Sequence, residues 1–307
     1  MPLSANGPAR KPRGPRSLAS HDGPPVSPER MAVGSELGRL RRGANLTGRE
    51  VQQATGISAT RLSKMESGRA AFPPADLDAL LRVYQVGPQD QERIRADAAR
   101  ADDPDRRWWD SHRDVMGPHL RTHVALEAAS SLICTIEPGI IPGLLQTEEY
   151  ARSICKMHLP KFSEEEIERR VQLRLTRQYH FATAPEPKKI WAVIDQGALT
   201  RHTGGKEVMQ KQIRHLAELT SNPRYSLKVA LAADGGVPHI FGSLTIFQFD
   251  DSRLPETAYL ESEVGASFVN DRQAVETYRM RFSAFSQKSL NRESTQRFLR
   301  DLAEHYS

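Results

Sequence analysis

Two cysteines in 307 residues, Cys134 and Cys155, are too few for a disulfide framework and lack the paired spacing of a metal site. They read as reduced core residues of a cytosolic protein. The chain also lacks any run of about 18 apolar residues, which excludes a membrane-spanning helix. Residues 1–30 carry bases but no apolar segment, unlike a secretory signal. Catalytic signatures are missing too. "HRD" at 112–114 lacks the Asn and the glycine-rich loop of a kinase, and "GGKE" at 204–207 lacks the first glycine and final Ser/Thr of a phosphate-binding loop. Neither G-x-S-x-G nor H-E-x-x-H occurs. His119 and His123 have the i, i+4 spacing of a ligand pair, but no closely spaced ligand set surrounds them and Gly117–Pro118 interrupts the segment. These absences argue against an enzyme, a metal centre and a bound cofactor.

What the chain does have is an uneven charge. Residues 1–33 hold five Lys/Arg against two Asp/Glu, residues 34–100 eleven against eight, and the remainder 27 against 28. The basic excess therefore lies in the first hundred residues, where a polyanion partner is to be sought. Residues 1–33 are rich in Pro, Gly, Ser and Arg with little to bury, the composition of a disordered basic tail. Residues 34–101 form a run of short helical patterns, and residues 102–307 make a larger second domain.

The densest signals lie in "LTGREVQQATGISATRLSKMESGR", residues 46–69. Before it, Val33, Leu37 and Leu40 recur at i, i+4, i+7 as the inner face of a first helix, with Arg39, Arg41 and Arg42 outside. Thr47 and Glu50 have the spacing of a reciprocal capping box, flanked by Leu46 and Val51 as a hydrophobic staple. Gly56 ends that second helix, being free to take the left-handed turn. Ser58 caps a third, with Ile57 and Leu62 in the staple positions and Leu62 and Met65 inward. Ala59, Thr60, Arg61, Ser63 and Lys64 then point outward: small residues that let a helix enter the major groove, and bases that reach DNA. Pro73–Pro74 open a fourth helix with core residues Leu77, Leu80, Leu81 and Tyr84, and a fifth runs over 89–101.

Residues 34–86 resemble the Xre/Cro-repressor family of five-helix DNA-binding domains, whose pattern ends in an E-x-G-R turn, here Glu66–Arg69. The resemblance implies double-stranded DNA as partner, with the third helix in the major groove. Thr47, Arg49, Ser58, Ala59, Thr60, Arg61, Ser63, Lys64 and Arg69 are the candidate contacts. Glu66 is expected to pair with an arginine of the first helix. Many relatives open the second helix with a backbone-touching Gln; Gly48 stands here and Arg49 is its nearest substitute.

Beyond residue 101, Trp108 and Trp109 are adjacent and cannot share a helix face, so one is expected against each domain. A helix is expected to end near Cys134, and Thr147 to cap another carrying Tyr150 and Ile154. Strand patterns occupy 189–194, 227–232, 244–249 and 258–264; helical ones occupy 163–181, 204–220, 274–285 and 293–305. The apolar loops "PGIIPGLL" and "GGVPHIFG" line a groove or lie in the core. "IPGLLQTEEYAR", "VIDQGALTRHTGG", "VALAADGGVPHIFGSLTIFQF" and "AYLES" resemble, in order, the C-terminal domain of WhiJ-like regulators, actinobacterial Xre-type proteins also described as antitoxin-like. Relatives often have Glu at the position of Gln196 and Pro near Ala232. The resemblance implies a small acidic protein partner; a small-ligand pocket and a dimerisation scaffold are the alternatives. The expectation is thus an all-α five-helix helix-turn-helix domain followed by an α+β domain, in a cytoplasmic, sequence-specific, homodimeric transcriptional regulator.

Overall fold

The computed structural model describes residues 26–101, 107–157, 162–237, 242–262 and 265–306. Most of the expected basic tail, the start of the linker and the tip of "GGVPHIFG" lie outside the described residues.

Five helices make the N-terminal unit: α1 (Pro28–Gly43), α2 (Gly48–Thr55), α3 (Ala59–Glu66), α4 (Pro74–Val83) and α5 (Pro88–Ala101). Helix α1 corrects the expected tail boundary, beginning at Pro28 rather than near residue 34. The cause is local. Ser27 accepts the Arg30 N–H, Pro28 supplies a fixed φ at the first position, and Glu29 sits in the positive first turn. The added turn pays for itself in burial, since Met31, Ala32 and Val33 are all inside. Val33, Leu37, Val51, Ile57, Leu62, Met65, Leu77, Leu80, Leu81 and Tyr84 form one core, with Leu40 and Leu46 at its margin.

The C-terminal unit is α+β. Its six strands are β1 (Leu132–Glu137), β2 (Lys189–Asp195), β3 (Tyr225–Ala230), β4 (Ser243–Gln248), β5 (Thr257–Ser262) and β6 (Gly265–Val269), in the order β3-β2-β1-β4-β5-β6. Strands β1, β2 and β3 pair in parallel, and β1-β4-β5-β6 antiparallel. The parallel pairs need helical crossovers. These are α7 (Glu148–Met157) with α8 (Glu164–Ala182), then α9 (Gln196–Thr200) with α10 (Lys206–Leu219). Helix α6 (Pro118–Ala129) precedes the sheet, and α11 (Arg272–Lys288) and α12 (Arg292–His305) follow it.

Strand β1 is a second correction. The sequence pattern carried a helix to Cys134, but α6 stops at Ala129, where Lys188 Nζ donates to the carbonyls of Glu127, Ala128 and Ser130. "LICTIE" then lies at the centre of the sheet, buried on both faces, so it shows no alternation to betray it. The expected 258–264 strand is likewise a hairpin arm, with β6 as its unforeseen partner.

Each sheet face has its own core. Ile133, Ile190, Leu227, Val229, Phe247 and Tyr259 pack with Tyr150, Phe181, Ile213 and Leu299 from the helical layer. Ile136, Val193, Leu244, Ile246 and Val269 pack beneath α11 through Ala274, Val275 and Phe282. Met31 of α1 belongs to the first of these cores, so the two units share buried surface. The Val26 N–H donates to Thr122 Oγ1 of α6 at 3.1 Å, and Arg253 bonds Asp97 of α5 at 2.9 Å.

Candidate nucleic-acid interface

The α2–α3 pair assembles through its caps. Thr47 Oγ1 accepts the Glu50 N–H, and Glu50 Oε2 takes the Thr47 N–H at 2.7 Å, which holds the Glu50 carboxyl below its ordinary range. Gly56 ends α2 at φ +75°. Ser58 caps α3 by accepting the Arg61 N–H. Gln52, which sequence reasoning passed over, completes the turn: its Oε1 accepts the Ala59 N–H at 3.1 Å and ties α2 to the start of α3. A side-chain amide seven residues ahead of the N–H it satisfies carries no local signature.

Ser58, Ala59, Thr60, Arg61, Ser63 and Lys64 are all exposed, while Leu62 and Met65 are buried. Thr47 and Arg49 are exposed at the head of α2. The structure thus brings eight of the nine candidates to solvent around α3. Arg69 differs: it is half-buried beyond the end of α3, and burial lowers its pKa. Its N–H donates to Lys64 O at 2.8 Å.

Two arginines behave in ways that spacing did not indicate. Arg61, with its side chain 51% exposed, pairs with Asp76 in the first turn of α4 at 2.6 Å. Reaching a base edge therefore means leaving or sharing that carboxylate. Arg41, expected on the outer face of α1, turns inward to 19% exposure. Its Nε donates to Glu66 Oε1 at 2.6 Å, its Nη2 to Oε2 at 2.9 Å and its Nη1 to Leu46 O at 2.8 Å. That fork is the expected Glu66 pairing, and it locks α1 to the end of α3 instead of facing a phosphate.

Contact between α1 and α3 is close because of two glycines. A Cβ on Gly34 would lie 2.3 Å from Met65 O. Gly68 turns at φ +70°, and a Cβ there would lie 2.8 Å from Met31 N. The exposed face of α3 is held on a rigid frame.

In the C-terminal unit the quoted motifs are largely structural. Asp195 accepts the N–H groups of Gly197 at 2.7 Å and Val237 at 2.8 Å, pinning the loop after β3. Gln196 and Ala232, the two departures from the WhiJ-like pattern, touch: Gln196 Oε1 accepts the Ala232 N–H at 2.8 Å, a donor that a proline would lack. Trp108 stacks on His180 of α8 at 4.4 Å, and Trp109 is buried beside Val115, Met116 and Leu173. The two indoles also meet edge-on at 5.5 Å and pack on the same C-terminal cluster, so the expected split of one to each domain is not seen, although Trp109 borders a cleft with Pro28, Ala32 and Val33 of α1. His123 is wedged edge-on against Phe247 and Tyr259 and lies 3.6 Å from Glu127. Among the described residues no group of three or more His, Cys, Asp or Glu is placed to hold a metal ion, and no helix is long and apolar enough to cross a membrane.

A capped α2–α3 pair presenting a polar, basic face on a five-helix frame defines a helix-turn-helix DNA-binding regulator. The family described as "Helix-turn-helix domain" matches residues 32–94. Residues 120–301, more than half of the chain, match the family described as "Domain of unknown function (DUF5753)", and the chain belongs to it. No curated protein and no solved structure matches the chain.

Proposed function

We propose that the protein is a sequence-specific transcriptional regulator that acts in the cytoplasm, inserts α3 into the major groove, and has that grip adjusted by its C-terminal domain. The exposed run of Ala59, Thr60, Arg61, Ser63 and Lys64, backed by buried Leu62 and Met65, carries the reading. We assign no catalytic role to any residue. The WhiJ-like resemblance supports a small acidic protein as the regulatory signal, with an antitoxin role as its variant. One observation favours a small ligand instead. A cavity of about 450 Å³, within the usual range for ligand sites, opens between β1, β4, β5 and the helices α6, α7 and α8.

Selection from a random duplex pool with the full chain tests the DNA-reading role. Enrichment of a defined motif is the expected result. A pool that stays random after successive rounds, with binding that depends only on salt, would overturn it.

A further inference from the structure

Five charged side chains from distant parts of the chain line that cavity: Glu137 at the end of β1, Glu261 on β5, and Arg170, Arg174 and Arg177 on α8, of which Arg170 is taken up by Val115 O and the Phe162 ring. Arg174 and Arg177 are one turn apart but are treated differently. Arg177 forms a fork with buried Glu127, Nε to Oε1 at 2.8 Å and Nη2 to Oε2 at 2.6 Å. Burial alone would push Glu127 upward; the Arg177 charge and these bonds outweigh it and hold the carboxyl at about 2. Arg177 is therefore neutralised from behind and serves the frame.

Arg174 has no such partner. Among the described residues no carboxylate lies within ion-pairing distance of it, and its one side-chain bond is from Nη1 to Gln146 Oε1 at 2.9 Å. It sits deep in the molecule but is only half-buried, because it faces the cavity, and desolvation pulls its pKa down. A guanidinium partly desolvated and without a paired carboxylate carries a cost that the more distant charge of Glu261 offsets only in part, and an anion in the cavity removes the rest.

The acids face it without pairing. Glu137 Oε2 accepts a short hydrogen bond from Ser243 Oγ, and burial, helped by nearby Glu261, pushes Glu137 up to about 7. Leu120, Ile140, Ile154 and Leu173 supply apolar wall. The rim is fixed before any ligand arrives. Gln146 Nε2 donates to Ile141 O at 2.6 Å, Gln178 Nε2 to Gly143 O at 2.9 Å, and Gln212 Nε2 to Leu145 O at 2.8 Å.

We propose that this cavity is the receptor site for a small amphoteric ligand, its carboxylate on Arg174, its ammonium between Glu137 and Glu261, and its apolar body against Leu120 and Leu173. The assignment rests on the regulatory reading of the C-terminal domain and gives it a ligand class. Helix α6 links the site to the DNA reader: Leu120 and His123 line the cavity, while Thr122 between them accepts the N–H of Val26, two residues before α1.

Calorimetric titration of the full chain with L-leucine, L-phenylalanine, 3-phenylpropionate and phenethylamine tests the site. One saturable site for an amino acid is expected, with 3-phenylpropionate weaker and phenethylamine silent. Arg174→Met should weaken amino-acid binding roughly tenfold or more, the loss of a charge-assisted fork. Glu137→Gln should bring the amino acid down toward 3-phenylpropionate and leave the latter unchanged. Absence of saturable binding of every carboxylate probe at about 10 mM, well beyond a weak Kd, overturns the proposal, as does unchanged affinity in Arg174→Met. If that variant does not fold, Arg174→Lys decides: a tenfold loss supports the site and full affinity overturns it. Titrating the same preparations with the selected duplex separates the two readings. Loss of ligand binding with intact duplex binding sinks the receptor site alone, and the reverse sinks the DNA reader.

Discussion

Arg61 and Lys64 share the exposed face of α3 but start from different electrostatic positions. Arg61 is already engaged with Asp76, whereas Lys64 has no ion pair among the described residues. Arg61→Ala is expected to cost about 1–3 kcal/mol on the selected duplex and much less on random DNA, if a bidentate base contact is lost. Fluorescence anisotropy with both duplexes reads this, and equal losses on the two would assign Arg61 to phosphates. Lys64→Ala should flatten the slope of log affinity against log salt by about 0.9, one phosphate contact; an unaltered slope removes Lys64 from the backbone. Glu137 makes a separate prediction. Its carboxyl holds its proton up to about pH 7 in the folded state, against about 4.3 when unfolded. The folded state therefore binds the extra proton, so this stabilisation is complete below the unfolded value and is lost as pH rises through 7. Glu261, Arg174, Arg177, Tyr259 and His123 line the cavity around it. Melting temperatures at about pH 5 and pH 8 should show wild type declining relative to Glu137→Gln, and parallel curves would mean that Glu137 ionises normally.

At the scale of elements, the seam between α1 and α3 governs how the recognition helix is presented. Gly34→Ala puts a methyl group 2.3 Å from Met65 O and 2.8 Å from Glu66 O. Both atoms are backbone, so the helices must separate, at an expected cost of about 1–3 kcal/mol. Gly43→Ala, with nothing within 4 Å of the new methyl, is the control and should be neutral or slightly stabilising. Thermal denaturation compares them, and equal melting points would show that the seam is loose. Helices α2, α3 and α4 were legible in sequence because their signals span only a few residues: Thr47 with Glu50, Ser58 between Ile57 and Leu62, and Pro73–Pro74 at the start of α4. Strand β1 was not, because a strand buried on both faces and a buried helix show the same unbroken apolar run. The early start of α1 was hidden in a stretch whose composition resembles a tail, although Ser27, Pro28 and Glu29 together spell a helix start.

For the whole molecule, the shared core and the bonds across it make the C-terminal unit a platform for the DNA reader. Met31 of α1 enters the C-terminal core, and Arg253 reaches Asp97. A homodimer on a near-palindromic site is expected, with half-sites about 34 Å or a multiple apart. Sedimentation of the 34.4 kDa chain, free and on the selected duplex, checks this, and a monomer in both states would reject it. The sequence by itself determined the two capped helices, the side of α3 that meets solvent, and the division into an all-α and an α+β unit. Each of these follows from residues a few positions apart, where helical period and cap chemistry act. Tertiary structure alone decided which arginine of α1 turns inward to Glu66, that Arg61 is engaged by Asp76, and that Glu137, Arg174, Ser243 and Glu261 surround one cavity. Strand pairing and helix packing bring those groups together across up to 124 positions of chain, and no local pattern encodes such a closure.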